Sequence, residues 1–179
     1  MAHPLFARLD RQLELVRREL DNVTESDRRF RALRGLARSR KPESGLYHEW
    51  SHNASLADGV SAIYTGLESV LEAIGNEIDE YARRGDSSHA DLVDGMAVAV
   101  KGLRPAVLRD VTRELLHEAR KFRHVARHKY ALQLRKADGA KNLRLVRKLV
   151  PAFEKDYRRF AGLMLAEETE SARTRPKHG

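Results

Sequence analysis

The stretch that decides the fold runs from Val60 to Ile74 and reads VSAIYTGLESVLEAI. Its large apolar side chains recur at steps of three and four residues, which is the spacing of one face of an α-helix. The same period extends in both directions, from Leu46 to Tyr81. The pattern therefore predicts one long amphipathic helix in an all-α protein.

Other segments show the same period and complete the predicted all-α, up-down helical bundle. The predicted helices are an N-terminal one from Leu5 to Val23; a shorter basic one, capped by Thr24, Ser26 or Asp27, that ends near Arg38; a short one with Leu92, Val93 and Met96; one from about Arg109 to about Ala137; and a last one after Asp138-Gly139, with Pro151 as a kink or restart.

Composition shifts divide the chain into three parts. Ser39 to Gly45 is typical of a linker, so residues 1–45 are interpreted as an N-terminal helical extension with its linker. Residues 46–166 form the predicted helical domain, and residues 167–179 a polar tail.

The chain of 179 residues is 41% hydrophobic and contains no cysteine. The lack of cysteine excludes disulfide frameworks, thiolate zinc sites, iron–sulfur clusters and cysteine nucleophiles, and it fits a reducing compartment. No apolar run reaches the ~20 residues that a membrane span requires. We therefore expect a cytoplasmic protein without a membrane segment.

Charge is segregated along the chain, which has a net charge of +8. Residues 42–82 contain no lysine or arginine, whereas residues 120–148 contain 11 basic residues and one acid, Asp138. A second run, residues 28–41, has seven bases and no acid. Such stripes attract polyanions such as nucleic acids, although a solvated helix face has the same composition.

His48-Glu49-Trp50-Ser51-His52 matches the H-E-x-x-H pattern of zinc hydrolases. On a helix, its two imidazoles would bind zinc, Glu49 would activate a bound water, and Glu72 could be the third ligand. The competing interpretation makes both histidines partly exposed residues near a helix start, with Trp50 anchored in the core. The pattern is short enough to arise by chance, so this alternative is the weaker one.

Residues 123–130, RHVARHKY, form an R-x4-H-x-Y pattern in the most basic stretch of the chain. A histidine can exchange a proton with an RNA 2′-hydroxyl or a leaving 5′-oxygen near neutral pH. An arginine can hold the phosphate and stabilise charge that develops on it. Arg123 and His128 are thus the candidate catalytic pair, and the alternative is a set of surface charges around a hydrogen-bonded helix histidine.

Helix geometry constrains this pair. At 100° per residue, Arg123 and His128 lie about 140° apart around a regular helix. Either the helix loosens between them, or a second subunit brings in the complementary groups across a two-fold axis. We favour the symmetric dimer, which also provides two histidines for the acid and base roles.

In these residues the chain resembles the HepT-like branch of the HEPN superfamily. Members of this branch are ribonuclease toxins that are paired with minimal nucleotidyltransferase antitoxins. The resemblance covers most of residues 46–166. It rests on the segments Ile63 to Ile74, Leu103 to Leu108 and Phe122 to Tyr130.

The resemblance implies a homodimer that cuts RNA without metal or cofactor, with Arg123 and His128 of both protomers lining a shared cleft. It also implies that the antitoxin neutralises the toxin by transferring AMP from ATP onto Tyr130. His124 stands where the family often has Asn, and it is grouped with Arg120, Arg127 and Lys129 as support or RNA-phosphate contacts. The main rival is a helical module that binds nucleic acid or a partner without cleavage.

Overall fold

The protein is described by a computed structural model that covers residues 4–36, 42–79, 89–128 and 136–174. Side chains are described within residues 4–34, 47–79, 89–124, 139–167 and 169–170. The predictions for Lys129 and Tyr130 and for residues 175–179 lie outside this part of the chain.

Five helices make up the described fold, and the all-α prediction is confirmed. Within the described ranges there is no β-strand, and an isolated antiparallel bridge joins Val100 to Arg104. The helices are α1, Pro4–Leu36; α2, Pro42–Glu77; α3, His89–Met96; α4, Asp110–His128; and α5, Lys136–Thr174.

Helix α2 is the centre of the bundle, because it contacts each of the other four helices. Its apolar face, identified from the sequence, is fully buried at Ile63, Leu67, Val70, Leu71 and Ile74. Burying a large apolar side chain contributes about 1.5–3 kcal/mol, so this one face supplies a large part of the driving force for folding.

Helix α1, which the sequence marks as an N-terminal extension, packs along α2 and α5 and belongs to the common core. It approaches α2 closely at Gly66, where a Cβ atom would lie 2.5 Å from Cγ2 of Val16. The hydroxyl of Tyr157 on α5 donates a hydrogen bond to the carbonyl of Phe6 at 3.2 Å.

Two predicted boundaries near the N-terminus are wrong. Helix α1 continues without a break to Leu36, and Asp27, expected as a cap, is buried inside it and paired with Arg31 and with His52 of α2. Helix α2 begins at Pro42, within the predicted linker. Proline suits this position because the first turn of a helix needs no N–H from it.

The predicted break at Asp138-Gly139 is also wrong, since α5 begins at Lys136 and includes both residues. Gly139 is buried, and a Cβ atom there would lie 3.2 Å from Cδ1 of Leu56. This glycine therefore permits close packing on α2 and does not end a helix. Helix α5 runs through Pro151 to Thr174, into the segment expected as a polar tail.

The segment between α3 and α4 is held by a buried arginine. Arg104, 2% exposed, forms a two-pronged ion pair with Asp79, with N–O distances of 2.6 and 2.7 Å. Its Nη1 also donates to the carbonyl of Val98 at 2.9 Å. Arg104 belongs to a segment that carries the family resemblance, and its role in the structure is to fix this connection.

None of the helices, over its described residues, combines the length and the apolar character needed to cross a bilayer.

Candidate functional site

A buried carboxylate on α2 connects three helices. Glu68 is 4% exposed, and one of its oxygens, Oε2, lies 3.4 Å from Nη1 of Arg123 on α4. The other, Oε1, lies 2.5 Å from Nδ1 of His89 on α3 and accepts a hydrogen bond from the Tyr64 hydroxyl at 3.2 Å. We call Tyr64, Glu68, His89 and Arg123 the Glu68 cluster.

The helical period explains how these groups come together. Tyr64 and Glu68 are four residues apart on α2, so both lie on the buried face that packs against α4. His89 is the first residue of α3, which also packs on α2. A carboxylate on such a face requires partners, since an unpaired buried charge is strongly destabilising.

Arg123 combines partial burial with hydrogen-bonding capacity to spare. Its side chain is 18% exposed, and its Cζ lies 5.6 Å from the centroid of the Tyr64 ring, within range of a cation–π contact. Among the described residues, its one hydrogen bond is the 3.4 Å contact to Glu68. Since a guanidinium carries five N–H donors, Arg123 can bind an anionic ligand while it keeps this contact.

Tyr64 serves the cluster as a neutral hydrogen-bond donor. Burial raises its pKa above the ordinary value near 10, and the charge of Glu68 raises it further. The hydroxyl therefore stays protonated at neutral pH and holds the Glu68 carboxylate in place.

Glu68, Glu72 and His89 form a group whose oxygen and nitrogen atoms lie within 4.8 Å of one another. A divalent cation bound there would lie beside the positive guanidinium of Arg123, which already contacts Glu68. Like charges at this distance repel. We therefore assign the group to hydrogen bonding and charge pairing and do not assign it as a metal site.

The predicted site residues are described to different extents. Arg123 lies in the Glu68 cluster, and Arg120, one turn earlier on α4, is half-buried, with an Nε atom that has no hydrogen-bond partner within the described chain. His124 is exposed. Arg127 and His128 belong to the last turn of α4, but their side chains lie outside the described set, as do Lys129 and Tyr130 entirely.

The backbone of α4 bears on the two ways of joining Arg123 to His128. Helix α4 remains α-helical from Asp110 to His128, so the loosened-helix alternative is not what the structure shows. In a regular helix the two positions lie about 140° apart around the helix axis.

The surroundings of His52 contradict the alternative that the H-E-x-x-H pattern binds zinc. His52 is buried, its Nε2 lies 3.3 Å from Oδ1 of Asp27, and its ring stacks on Phe30 at 3.9 Å between centroids. Burial lowers its pKa, against the opposing effect of Asp27. Glu72, the suggested third ligand, lies with Glu68 and His89 instead. A histidine enclosed in this way cannot share a solvent-facing metal with exposed His48.

Trp50 also differs from expectation. Predicted as a core anchor, it is 41% exposed and packs against the ring of Tyr47. The core positions near this end of α2 are filled by Leu56 and Ala57.

The two basic runs differ in how far they are neutralised. On α1, Arg28 and Arg29 pair with Glu25, and their hydrogen bonds lower the pKa of Glu25 to about 2. On α5, exposed bases share one face at spacings of three and four residues, with no carboxylate within 4 Å among the described residues. This set, the α5 basic face, consists of Lys141, Arg144 and Lys148.

The sequence patterns did not single out Glu68, Tyr64 or His89 as site residues. One signal was present for Glu68, because a charged residue stands among apolar ones at a buried position of the α2 period. His89 had no such signal, since only the tertiary structure places it against Glu68.

A family model described as HepT-like protein matches residues 55–164. This span includes α3, α4, most of α2 and α5, and the whole Glu68 cluster. No curated protein and no solved structure matches the chain.

Proposed function

Since the chain belongs to the HepT-like family of the HEPN superfamily, we propose that it is a metal-independent endoribonuclease and the toxin of a toxin–antitoxin pair. The observation that carries this proposal is the position of Arg123. Its guanidinium is partly exposed, and Glu68 contacts it where α2 packs against α4. It lies at the start of the most basic stretch of the chain.

The proposed reaction is cleavage of an RNA strand by its own 2′-hydroxyl. His128 accepts the proton of that hydroxyl, and the 2′-oxygen attacks the adjacent phosphorus. The bond from phosphorus to the 5′-oxygen breaks, which leaves a 2′,3′-cyclic phosphate and a 5′-hydroxyl. Arg123 binds the phosphate oxygens and stabilises the negative charge that develops on them.

A homodimer supplies the geometry for this reaction. Because the positions of Arg123 and His128 lie about 140° apart around an unbroken α4, we propose that the two-fold axis of a dimer brings the pairs of both protomers to one cleft. A solution mass of twice the 20.4 kDa of one chain, measured by light scattering, is expected, and a monomer that cleaves RNA would contradict it.

We further propose a cognate minimal nucleotidyltransferase as the antitoxin, which transfers AMP from ATP onto Tyr130. A phosphate placed two residues after His128 would repel RNA phosphates from the cleft. Incubation with that enzyme and ATP should add the mass of AMP to the parental chain and none to Tyr130→Phe. Equal modification of both proteins would remove Tyr130 from the scheme.

The cleavage test uses matched histidine variants. The parental protein, His128→Ala and His48→Ala are incubated with RNA in EDTA, and the products are analysed for new 5′-hydroxyl ends. We expect cleavage by the parental protein and by His48→Ala, because exposed His48 lies outside the Glu68 cluster, and loss of cleavage in His128→Ala. Parental rates in a folded, dimeric His128→Ala would rule out the catalytic assignment.

A non-catalytic binding module gives a different result in the same experiment. It would retain RNA on a filter but generate no 5′-hydroxyl ends, whatever the variant. Inhibition of the parental protein by EDTA, with recovery on adding a divalent cation, would contradict the metal-independent mechanism.

A further inference from the structure

Within one protomer, and among the described side chains, His89 shares a carboxylate with Arg123. One carboxylate, that of Glu68, contacts Nη1 of Arg123 through Oε2 and Nδ1 of His89 through Oε1. Resting on the ribonuclease function proposed above, we propose that His89 is a second catalytic residue, the general acid that protonates the leaving 5′-oxygen.

The contact with Glu68 orients the ring for this role. Because Nδ1 is the ring nitrogen that contacts the carboxylate, Nε2 is the nitrogen left for a ligand. Nδ1 lies 2.5 Å from Oε1 of Glu68, so this contact fixes one side of the ring. Tyr64 donates to the same oxygen of Glu68 at 3.2 Å, which further restricts how the carboxylate can turn.

The side chains of His89 and Glu68 differ in how far they are exposed to solvent. The side chain of His89 is 49% exposed, whereas that of Glu68 is 5% exposed. The imidazole therefore contacts a buried carboxylate while about half of its side chain is exposed to solvent. A substrate phosphate held by Arg123 would lie near this partly exposed imidazole, since both side chains contact one carboxylate.

With His128 as the general base and His89 as the general acid, every proton in the reaction is accounted for. His128 takes the proton from the 2′-hydroxyl, the 2′-oxygen bonds to phosphorus, and the phosphorus–5′-oxygen bond breaks. His89 gives its Nε2 proton to the departing 5′-oxygen. Solvent then returns a proton to His89 and removes one from His128, so no further reactant is consumed.

The chain contains a matched control at a second histidine–carboxylate pair. Nε2 of His117 on α4 lies 2.8 Å from Oδ1 of Asp94 on α3, and Arg113 also contacts Asp94, at 3.8 Å. This pair repeats the composition of the His89 site away from Glu68. Substitution of His117 removes a comparable histidine–carboxylate contact without touching the Glu68 cluster.

The experiment compares two substrates, an RNA oligonucleotide and the same oligonucleotide with a bridging 5′-sulfur at the cleavage site. A thiolate leaves without protonation, so the sulfur substrate needs no general acid. On ordinary RNA, His89→Asn and His89→Gln should lose about 10²–10⁴-fold in kcat. On the sulfur substrate both should approach the parental rate, whereas His128→Ala should stay inactive on both, and His117→Asn should match the parental protein on both.

Three results would overturn the proposal. The first is cleavage of ordinary RNA at the parental rate by both His89→Asn and His89→Gln. The second is that both variants are equally slow on the two substrates while their melting curves match that of the parental protein, which would mean that His89 has a positioning role. Restoration of His89→Asn by a divalent cation would mean a metal-binding role. A parental protein that cleaves neither substrate would instead refute the ribonuclease function itself, which keeps the two failures distinct.

Discussion

Glu68 and Arg123 meet across the contact between α2 and α4, with Oε2 of the carboxylate 3.4 Å from Nη1 of the guanidinium and side-chain exposures of 5% and 18%. Glu68→Ala leaves the guanidinium without its carboxylate in a largely buried place. We expect a loss of about 3 kcal/mol in the free energy of unfolding, measured by urea denaturation.

The control for this pair is Glu25→Ala on α1. Glu25 pairs with Arg28 and Arg29, whose side chains are 71% and 73% exposed, and exposed pairs of this kind contribute little to stability because water and salt screen them. If Glu68→Ala and Glu25→Ala lost the same free energy of unfolding, the Glu68–Arg123 contact would contribute no more to stability than an exposed ion pair.

Gly66 allows α1 to lie close against α2. The Cβ atom of Gly66→Ala would lie 2.5 Å from Cγ2 of Val16, so we expect a loss of about 1–3 kcal/mol from overpacking in urea denaturation. The double variant Gly66→Ala/Val16→Ala should relieve this clash in part. Gly162→Ala, with no atom within 4 Å of the new methyl group, should stabilise α5 by about 1 kcal/mol. A stabilising Gly66→Ala would contradict the observed packing of α1.

Arg104 depends on the fork of its guanidinium, because two of its nitrogens contact the two oxygens of Asp79. A lysine cannot form this two-pronged contact at a site that is 2% exposed. Arg104→Lys should therefore cost about 2–3 kcal/mol by chemical denaturation. The same change at Arg8, whose pair with Glu77 is exposed, should cost less than about 1 kcal/mol. Similar costs at the two sites would refute the structural role of Arg104.

His52 should make the stability of the protein depend on pH. Burial lowers its pKa in the folded state below the ordinary 6.5, although Asp27 on α1 and Glu49 on α2 raise it and Arg31 lowers it. The unfolded chain therefore takes up this proton at a higher pH than the folded chain. The stability contribution is complete above about pH 6.5 and declines as the pH falls below that value.

The measurement for His52 is the urea midpoint at about pH 7, 6 and 5. The parental protein should lose stability more steeply over this range than His52→Asn, which has no imidazole to protonate. Parallel slopes for the two proteins would show that the buried ring does not resist protonation.

The α5 basic face gives a prediction for RNA binding, tested in the His128→Ala background so that the RNA stays intact. Arg144→Ala/Lys148→Ala should weaken binding and reduce the slope of log Kd against log salt by about 0.7 for each lost contact to single-stranded RNA. Arg28→Ala/Arg29→Ala should change the slope less, because Glu25 already neutralises these side chains in part. A larger change from the α1 pair would place the RNA contacts on α1.

Much of the fold followed from the sequence because helical periodicity is local. The apolar residues of α2 recur at steps that place them on one face, and the structure buries that face. The boundaries were less predictable. Asp138-Gly139 has the composition of a helix end, but both residues lie inside α5, where Gly139 packs close to Leu56, which is far away in sequence.

The sequence by itself determined the all-α class, the central helix and the placement of Arg123 in the most basic stretch, since each depends on residue type and short-range spacing. Only the tertiary structure decided which charged groups meet. Glu68 reaches Arg123 across 55 positions of sequence and reaches His89 on a third helix, while His52 turns inward to Asp27. Such pairings arise when helices pack against each other, because a buried charge without a partner is destabilising. They join residues that are far apart in sequence, so short-range spacing does not predict them.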